Sequence, residues 1–121
     1  MLGEPQRARL GLGPARRIRG KAAFEPLLRG GKRSSSRGFV FFLARREAGP
    51  PRLGILTSRK HSAKATVRNH IKRCIREAFR LERSALAQLG AVDLLVRPPF
   101  GADPGPDMIV LLRGLLQAIR A

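Results

Sequence analysis

Apolar residues recur every three or four positions in the stretch ATVRNHIKRCIREAFR, which runs from Ala65 to Arg80. This period is typical of one face of an α-helix and predicts a long helix over about residues 64–86, ending near Gly90. The apolar face consists of Val67, Ile71, Cys74, Ile75 and Ala78. Basic residues occupy the opposite face, and Asn69 lies among them. The helix therefore has one side suited to a core and one suited to solvent or a charged partner.

Three shorter segments are typical of strands. GFVFFLAR is aromatic and β-branched, and its alternation puts Phe39, Phe41 and Leu43 on one face and Val40 and Phe42 on the other. RLGILTS follows the turn EAGPP and is predicted to be the antiparallel partner of that strand. AVDLLVR is the third strand, and it comes after the long helix. The second and third strands are therefore either parallel or separated by another strand.

Two further helices are predicted, one on each side of this region. GKAAFEPLLRGG indicates a short helix before the first strand, and KRSSSR is interpreted as a polar connector between them. Near the C-terminus, Asp107 is a candidate N-cap for the helix MIVLLRGLLQAIR. Its apolar stripe is Met108, Leu111, Leu112, Leu115 and Ile119.

The element order α-β-β-α-β-α predicts a small single-domain α/β (α+β) sandwich, a mostly antiparallel sheet with helices packed on it. Residues 1–16 mix Gly, Pro and Arg without periodicity, and they are predicted to form a mobile basic arm. Residues 17–121 form the folded domain of this prediction. A chain of 121 residues has room for one modest core.

Charge changes this picture most. The chain has 25 Lys and Arg against 8 Asp and Glu, a formal net charge of +17. Repulsion among so many positive charges disfavours a compact state. A net charge of this size is typical of a protein that binds a polyanion. A nucleic acid is the first expectation and an anionic membrane surface the second. No apolar run has the length of a membrane span, and the single cysteine, Cys74, permits no intrachain disulfide, so a cytoplasmic location is expected.

Catalytic chemistry is not expected from the chain itself. The eight acids are scattered, without paired carboxylates, a Gly-rich phosphate loop or a Cys/His metal set, so no catalytic or metal-binding residue is predicted. His61 and His70 are interpreted as structural or solvent-facing, and Cys74 as a small core residue.

Asn69 and the phenylalanines offer more specific hypotheses. The amide of Asn69 is suited to contact a 2′-hydroxyl or a base edge, although asparagine in the first turns of a helix is also a common capping residue. Single-stranded nucleic acids stack on aromatic rings flanked by positive charge. The candidate rings are Phe24, Phe39, Phe41 and Phe42, for each of which a core position is the alternative.

The stretch RLGILTSRKHSAKATVRNHIKRCIREAFR resembles the signature of the bacterial ribonuclease P protein subunit. The resemblance extends over about residues 17–119, through Phe24, Leu28, Arg37 and the first strand. It implies a small basic protein that binds ribonuclease P RNA and the 5′ leader of precursor tRNA, as a monomer in a one-protein, one-RNA complex without a membrane partner. The holoenzyme, an endoribonuclease, removes the leader, while the RNA performs the chemistry with Mg²⁺ ions. The resemblance also implies a left-handed β-α-β crossover, against the usual handedness.

The resemblance assigns roles to particular positions. The expected RNA-binding residues are Arg59, Lys60, Lys64, Arg68, Asn69, Lys72, Arg73, Arg76 and Arg80. The expected residues of the leader-binding cleft are Phe24, Leu28, Arg37, Phe39 and Phe42. This sequence departs from the family pattern at His70, at Ala63–Lys64 and at Leu28, which replaces a common phenylalanine. The remaining alternatives are an RNA-binding protein with no part in cleavage and a DNA-binding architectural protein, which would prefer B-form over A-form helices.

Overall fold

A computed structural model describes residues 17–18 and 21–119. The predicted N-terminal arm, residues 1–16, lies outside the described residues. These described residues form four helices and four strands. They are, in chain order, α1 (Lys21–Gly30), β1 (Lys32–Ser36), β2 (Phe39–Arg45), β3 (Arg52–Ile55), α2 (Ala65–Leu81), α3 (Arg83–Ala87), β4 (Val92–Arg97) and α4 (Pro106–Ala118).

The four strands form one mixed sheet in the order β1-β2-β4-β3. β2 is antiparallel to both β1 and β4, whereas β3 and β4 are parallel and joined through α2. The predicted α+β class with a mostly antiparallel sheet is confirmed. The predicted pairing of β2 with β3 is wrong, because β4 lies between them. The left-handed sense of the crossover from β3 through α2 to β4 stays a prediction.

β1 is an element that the hydrophobic pattern did not predict. Its sequence KRSSS has no apolar residue, and all five residues are exposed. The strand exists because its backbone pairs with the edge of β2 across a two-residue turn. Arg37 and Gly38 occupy that turn with φ of 55° and 84°, the left-handed values of a type I′ hairpin. The segment interpreted as a connector is therefore an edge strand.

Apolar side chains cover both faces of the sheet, as the alternation in β2 predicted. On one face, Phe39, Phe41 and Leu43 join the main core beneath α2 and α4. On the other, Val40 and Phe42 join a smaller cluster beneath α1. The buried residues of α2 are Ile71, Cys74, Ile75, Ala78 and Phe79. Val67 is partly buried, so the predicted apolar face of the long helix is confirmed.

The ends of two helices differ from the prediction. The long helix is interrupted at Glu82, whose φ of −102° and ψ of 19° separate α2 from α3. α4 begins at Pro106, a residue favoured in the first helical turn, with Gly105 as its N-cap. Asp107 therefore lies inside the first turn rather than at the cap. The stripe of α4 also includes Leu116, which is buried together with two predicted members, Met108 and Leu112.

Glu82 is buried at the α2–α3 junction and joins it to α4. Its carboxylate accepts hydrogen bonds from Arg113 Nε at 2.6 Å and Gln117 Nε2 at 3.0 Å. These two bonds, with Arg113 the larger cause, hold the pKa of Glu82 below its usual value. Such a group stabilises the folded state above its unfolded pKa, and this stability is lost as the pH falls through the lower, folded pKa.

We expect Glu82→Gln to lower the free energy of unfolding by about 1–2 kcal/mol at neutral pH, because a charge-assisted pair is lost. The acid-induced fall in melting temperature below about pH 5 should also become shallower than in the wild type. Thermal melts between pH 3 and 7 measure both effects. Glu25→Gln is the control, because Glu25 forms an exposed pair with Arg29 on α1. Equal melts for all three proteins would contradict the role assigned to Glu82.

Candidate nucleic-acid interface

One end of the sheet gathers loops from distant parts of the chain. β2 begins at this end, whereas β3 and β4 finish there, as the pairs Val40↔Arg97 and Ile55↔Val96 show. The β1–β2 turn, the loop 56–64 and the segment after β4 therefore lie together, and α2 begins beside them. We call this region the loop end of the sheet. It brings together these predicted RNA-binding and cleft residues: Arg37, Arg59, Lys60, Lys64, Arg68 and Asn69.

The β1–β2 turn holds Arg37 at the loop end. A Cβ atom placed on Gly38 would lie 2.9 Å from Pro99 Cβ, so the turn packs closely on the segment after β4. Arg37 is exposed, in a backbone conformation uncommon for a residue other than glycine. The tight turn therefore fixes the point from which this arginine side chain extends.

The loop before α2 is ordered around His61, which is buried. The backbone N–H of Ser58 donates to His61 Nδ1 at 3.0 Å, and the backbone N–H of His61 donates to the Ser58 carbonyl at 2.9 Å. Burial is the largest cause that lowers the pKa of His61 below its usual value, so the neutral ring is favoured. Arg59 and Lys60 lie in this turn with exposed side chains. The histidine thus has a structural role that presents two neighbouring cations.

Arg68 has a structural role that the sequence did not predict. Its Nη1 donates to the carbonyl oxygens of Ser62 at 2.8 Å and Ala63 at 3.1 Å. The guanidinium thereby folds back and holds the loop against the first turn of α2. This is the place where Ala63–Lys64 departs from the family pattern, and Lys64 supplies no side-chain cap. Arg68 therefore orders the loop as well as adding positive charge.

The basic face continues along α2. Asn69 and Arg73 are exposed, and Lys72 and Arg76 are partly buried. Arg80 differs from the others because it forms a two-fold hydrogen-bonded ion pair with Glu77, at 3.0 and 2.8 Å. This pair raises the pKa of Arg80 and lowers that of Glu77. The charge of the basic face is therefore partly compensated in its last turn.

The predicted cleft lies on the opposite face of the sheet, beneath α1. A Cβ atom on Gly54 would lie 2.9 Å from Phe24 Cε1, so this ring packs directly over the backbone of β3. Leu28 is 44% exposed, whereas Phe42 is only 7% exposed. Leu28 and part of Phe24 on α1 are therefore accessible to solvent. Phe42 is buried in the sheet beneath α1.

Phe39 does not lie in this cleft. Its ring is 2% exposed and stacks on Phe41, with 6.4 Å between centroids, in the main core under α2 and α4. The side chains of adjacent strand residues alternate between faces, so Phe39 and Phe42 must be on opposite sides of the sheet. The assignment of Phe39 to the cleft is corrected by this geometry.

Comparison with known proteins decides the family. The sequence profile described as Ribonuclease P matches residues 12–118. The ribonuclease P protein component of Nitrosococcus oceani is 35% identical over 88 residues, which cover 71% of each chain. That of Bordetella petrii is 32% identical over 114 residues, 88% of this chain and 87% of the relative. This chain belongs to the ribonuclease P protein family.

The fold agrees with that of solved ribonuclease P proteins. The Thermotoga maritima ribonuclease P protein superposes with a TM-score of 0.71 at 27% identity, covering 87% of this chain and 98% of that one. The resemblance inferred from the stretch that runs from β3 through α2 is thus confirmed at the level of family and fold. Apart from Phe39, the assignment of RNA-binding and cleft residues stays a prediction.

Arg33 is a candidate that the sequence reasoning missed. It lies opposite Phe42 in the antiparallel register of β1 and β2, so the two side chains are on the same face of the sheet. Arg33 is exposed, and it adds a cation beside the predicted cleft. The signal was hidden because KRSSS lacks the apolar alternation of a strand. Basic residues next to a two-residue turn could have indicated it.

Neither a metal site nor a membrane-spanning helix is found among the described residues. Within residues 17–18 and 21–119, no three His, Cys, Asp or Glu side chains are grouped as a metal site would need. No helix in the same part of the chain is both long and apolar enough to cross a membrane.

Proposed function

We propose that this chain is the protein subunit of ribonuclease P, which binds the catalytic RNA and assists removal of the 5′ leader from precursor tRNA. The observation that carries the proposal is the basic surface formed by the loop end of the sheet and the exposed face of α2. The β1–β2 turn and the loop 56–64, which lie together at the loop end, contribute cations to it, and α2 continues it from its first turn. Such a surface matches the phosphates of a structured RNA.

The proposed division of labour leaves the chemistry to the RNA. The carboxylates of Glu25, Glu77, Glu82 and Asp93 each form an ion pair with arginine. Since the described side chains do not assemble a metal site, we propose that the RNA binds the functional Mg²⁺ ions, which supply the activated nucleophile for phosphodiester hydrolysis. The protein contributes binding and charge, and none of its side chains takes part in the bond-breaking step.

Charge neutralisation explains how such a subunit would assist cleavage by the RNA. Phosphates that approach one another in the holoenzyme repel, and divalent ions are one means of screening them. Cations on α2 and at the loop end replace part of that screening when the protein is bound. The RNA should therefore need less Mg²⁺ in the presence of the protein.

The cleft beneath α1 is the proposed site for the leader. Leu28 and Phe24 offer apolar surface, and Arg33 and Arg37 extend from the neighbouring hairpin. This combination of apolar surface and cations suits a single strand, whose unpaired bases and phosphates are both accessible. We propose a cytoplasmic complex of one protein with one RNA.

We expect the protein to stimulate cleavage of precursor tRNA by a bacterial ribonuclease P RNA at low Mg²⁺. The products, separated by gel electrophoresis, should carry the mature 5′ end only when both components are present. The protein without RNA should cleave nothing, and the RNA alone should be active at high Mg²⁺. Absence of stimulation, with a folded protein and an RNA from the same organism shown active at high Mg²⁺, would overturn the proposal.

A further inference from the structure

Phe100 is an aromatic side chain held out into solvent at the loop end of the sheet. It lies in the turn Pro99–Ala102, which is closed by a hydrogen bond from the Ala102 N–H to the Pro99 carbonyl at 3.2 Å. Gly101 has φ of +73°, as the third position of a type II turn requires. The Phe100 side chain is 64% exposed. The turn therefore presents this ring rather than burying it.

The ring is supported from beneath. Its centroid lies 4.7 Å from that of the buried His61 ring, at an interplanar angle of 49°. The carbonyl of His61 accepts a hydrogen bond from the Gly101 N–H at 3.3 Å. The β1–β2 turn packs on the same segment through Gly38 and Pro99. Two ordered loops thus hold Phe100 in place while most of its surface stays open.

Four basic residues belong to the segments that hold the exposed ring. Arg59 and Lys60 belong to the turn that carries His61, and Arg37 extends from the hairpin turn that contacts Pro99. Arg97 lies at the end of β4, three residues before the ring, and Asp103 adds one exposed carboxylate to the same loop. A single exposed apolar side chain is common on protein surfaces. An aromatic ring fixed by two loops among several cations has the composition of a base-stacking site.

We propose that Phe100 is a stacking platform for one unpaired base of RNA, with the neighbouring cations contacting the flanking phosphates. This inference extends the proposed function and rests on it for the identity of the RNA. The unpaired base belongs either to ribonuclease P RNA or to the precursor-tRNA leader. The ligand chemistry is the same in both cases, a flat nucleobase followed by phosphate.

The absence of tryptophan and tyrosine from the chain gives a direct test. Phe100→Trp creates a protein with a single tryptophan, whose fluorescence should be quenched when a base stacks on it. Val110→Trp is the matched control, because Val110 is 70% exposed and belongs to α4 rather than to the loops that hold Phe100. Each protein is titrated with ribonuclease P RNA, with a single-stranded leader oligonucleotide and with a short oligoadenylate. Quenching by only one of the first two RNAs identifies the source of the base.

Affinity provides the second readout. Phe100→Leu keeps an apolar side chain but removes the flat ring, and we expect it to weaken binding of the quenching RNA by about 5- to 100-fold. The dependence of affinity on salt should not change, because the ring carries no charge. Phe100→Trp should bind as well as the wild type. An unchanged thermal melt of Phe100→Leu separates loss of stacking from loss of folding.

The outcomes separate this inference from the proposed function. If both RNAs bind and cleavage is stimulated but the fluorescence of Phe100→Trp is not quenched, stacking at this position is wrong and the function stands. If ribonuclease P RNA fails to bind while oligoadenylate quenches the fluorescence of Phe100→Trp and not that of Val110→Trp, the stacking site stands and the function is wrong. Binding of none of the three RNAs overturns both.

Discussion

Replacing Ile71 with aspartate is expected to abolish the cooperative thermal unfolding of the domain. Ile71 is 0% exposed, at the centre of the apolar face that α2 packs against the sheet. The substitution removes a core side chain and puts a carboxylate among apolar neighbours without a partner. Together these two effects are comparable with the whole stability of a small domain, which is about 5 kcal/mol at the low end of the usual range. Circular dichroism during heating measures the loss.

Asn69→Asp is the control for this experiment. It adds the same single negative charge to the same helix, two residues earlier, at an exposed position. A negative charge near a helix N-terminus is tolerated or slightly stabilising, so this variant should melt like the wild type. A full transition of Ile71→Asp at the wild-type temperature would show that the two faces of α2 are assigned backwards.

The elements with a strong period were predictable from the sequence alone. Apolar residues in α2 follow the helical period over several turns, and β2 alternates between two apolar faces. In both cases burial follows directly from the spacing of side chains along one element. The basic face of α2 was predictable for the same reason, because it consists of the remaining positions of the same helix.

Features that depend on contacts between distant segments were not predictable. β1 has no apolar pattern and forms only because the edge of β2 is available to it. The predicted pairing of β3 with β2 was also wrong, since strand order depends on how α2 packs. The bonds from Arg68 to the preceding loop and from Arg113 to Glu82 require the fold before they can form. The sequence shows that these side chains are charged, but not which partners they bind.

Loss of Lys72 and Arg73 is expected to weaken RNA binding strongly without affecting folding. Both side chains lie on the basic face of α2, and within the described residues neither forms an ion pair with a carboxylate. Each phosphate contact makes the fall of log affinity with log salt steeper by about 0.7–0.9. Lys72→Ala with Arg73→Ala should make that fall shallower by about 1.4–1.8 and should lower the affinity by about 10- to 30-fold near 0.15 M salt. Filter binding to ribonuclease P RNA at several salt concentrations measures both quantities.

Arg45→Ala is the control that distinguishes RNA binding at α2 from attraction of RNA by the net charge of the whole protein. Arg45 is exposed at the end of β2 farthest from the loop end, where its Nη1 donates to the Leu89 carbonyl at 3.2 Å. If the whole positive surface attracted RNA equally, removing Arg45 would change the slope as much as removing either Lys72 or Arg73. If RNA lies along α2, the affinity of Arg45→Ala should stay within about two-fold of the wild type, because a distant exposed charge is screened beyond about 8–10 Å. If Arg45→Ala lowered the affinity as much as loss of Lys72 or Arg73, the protein would bind RNA through its overall positive charge. It would then lack the specific binding surface on which its proposed role in ribonuclease P depends.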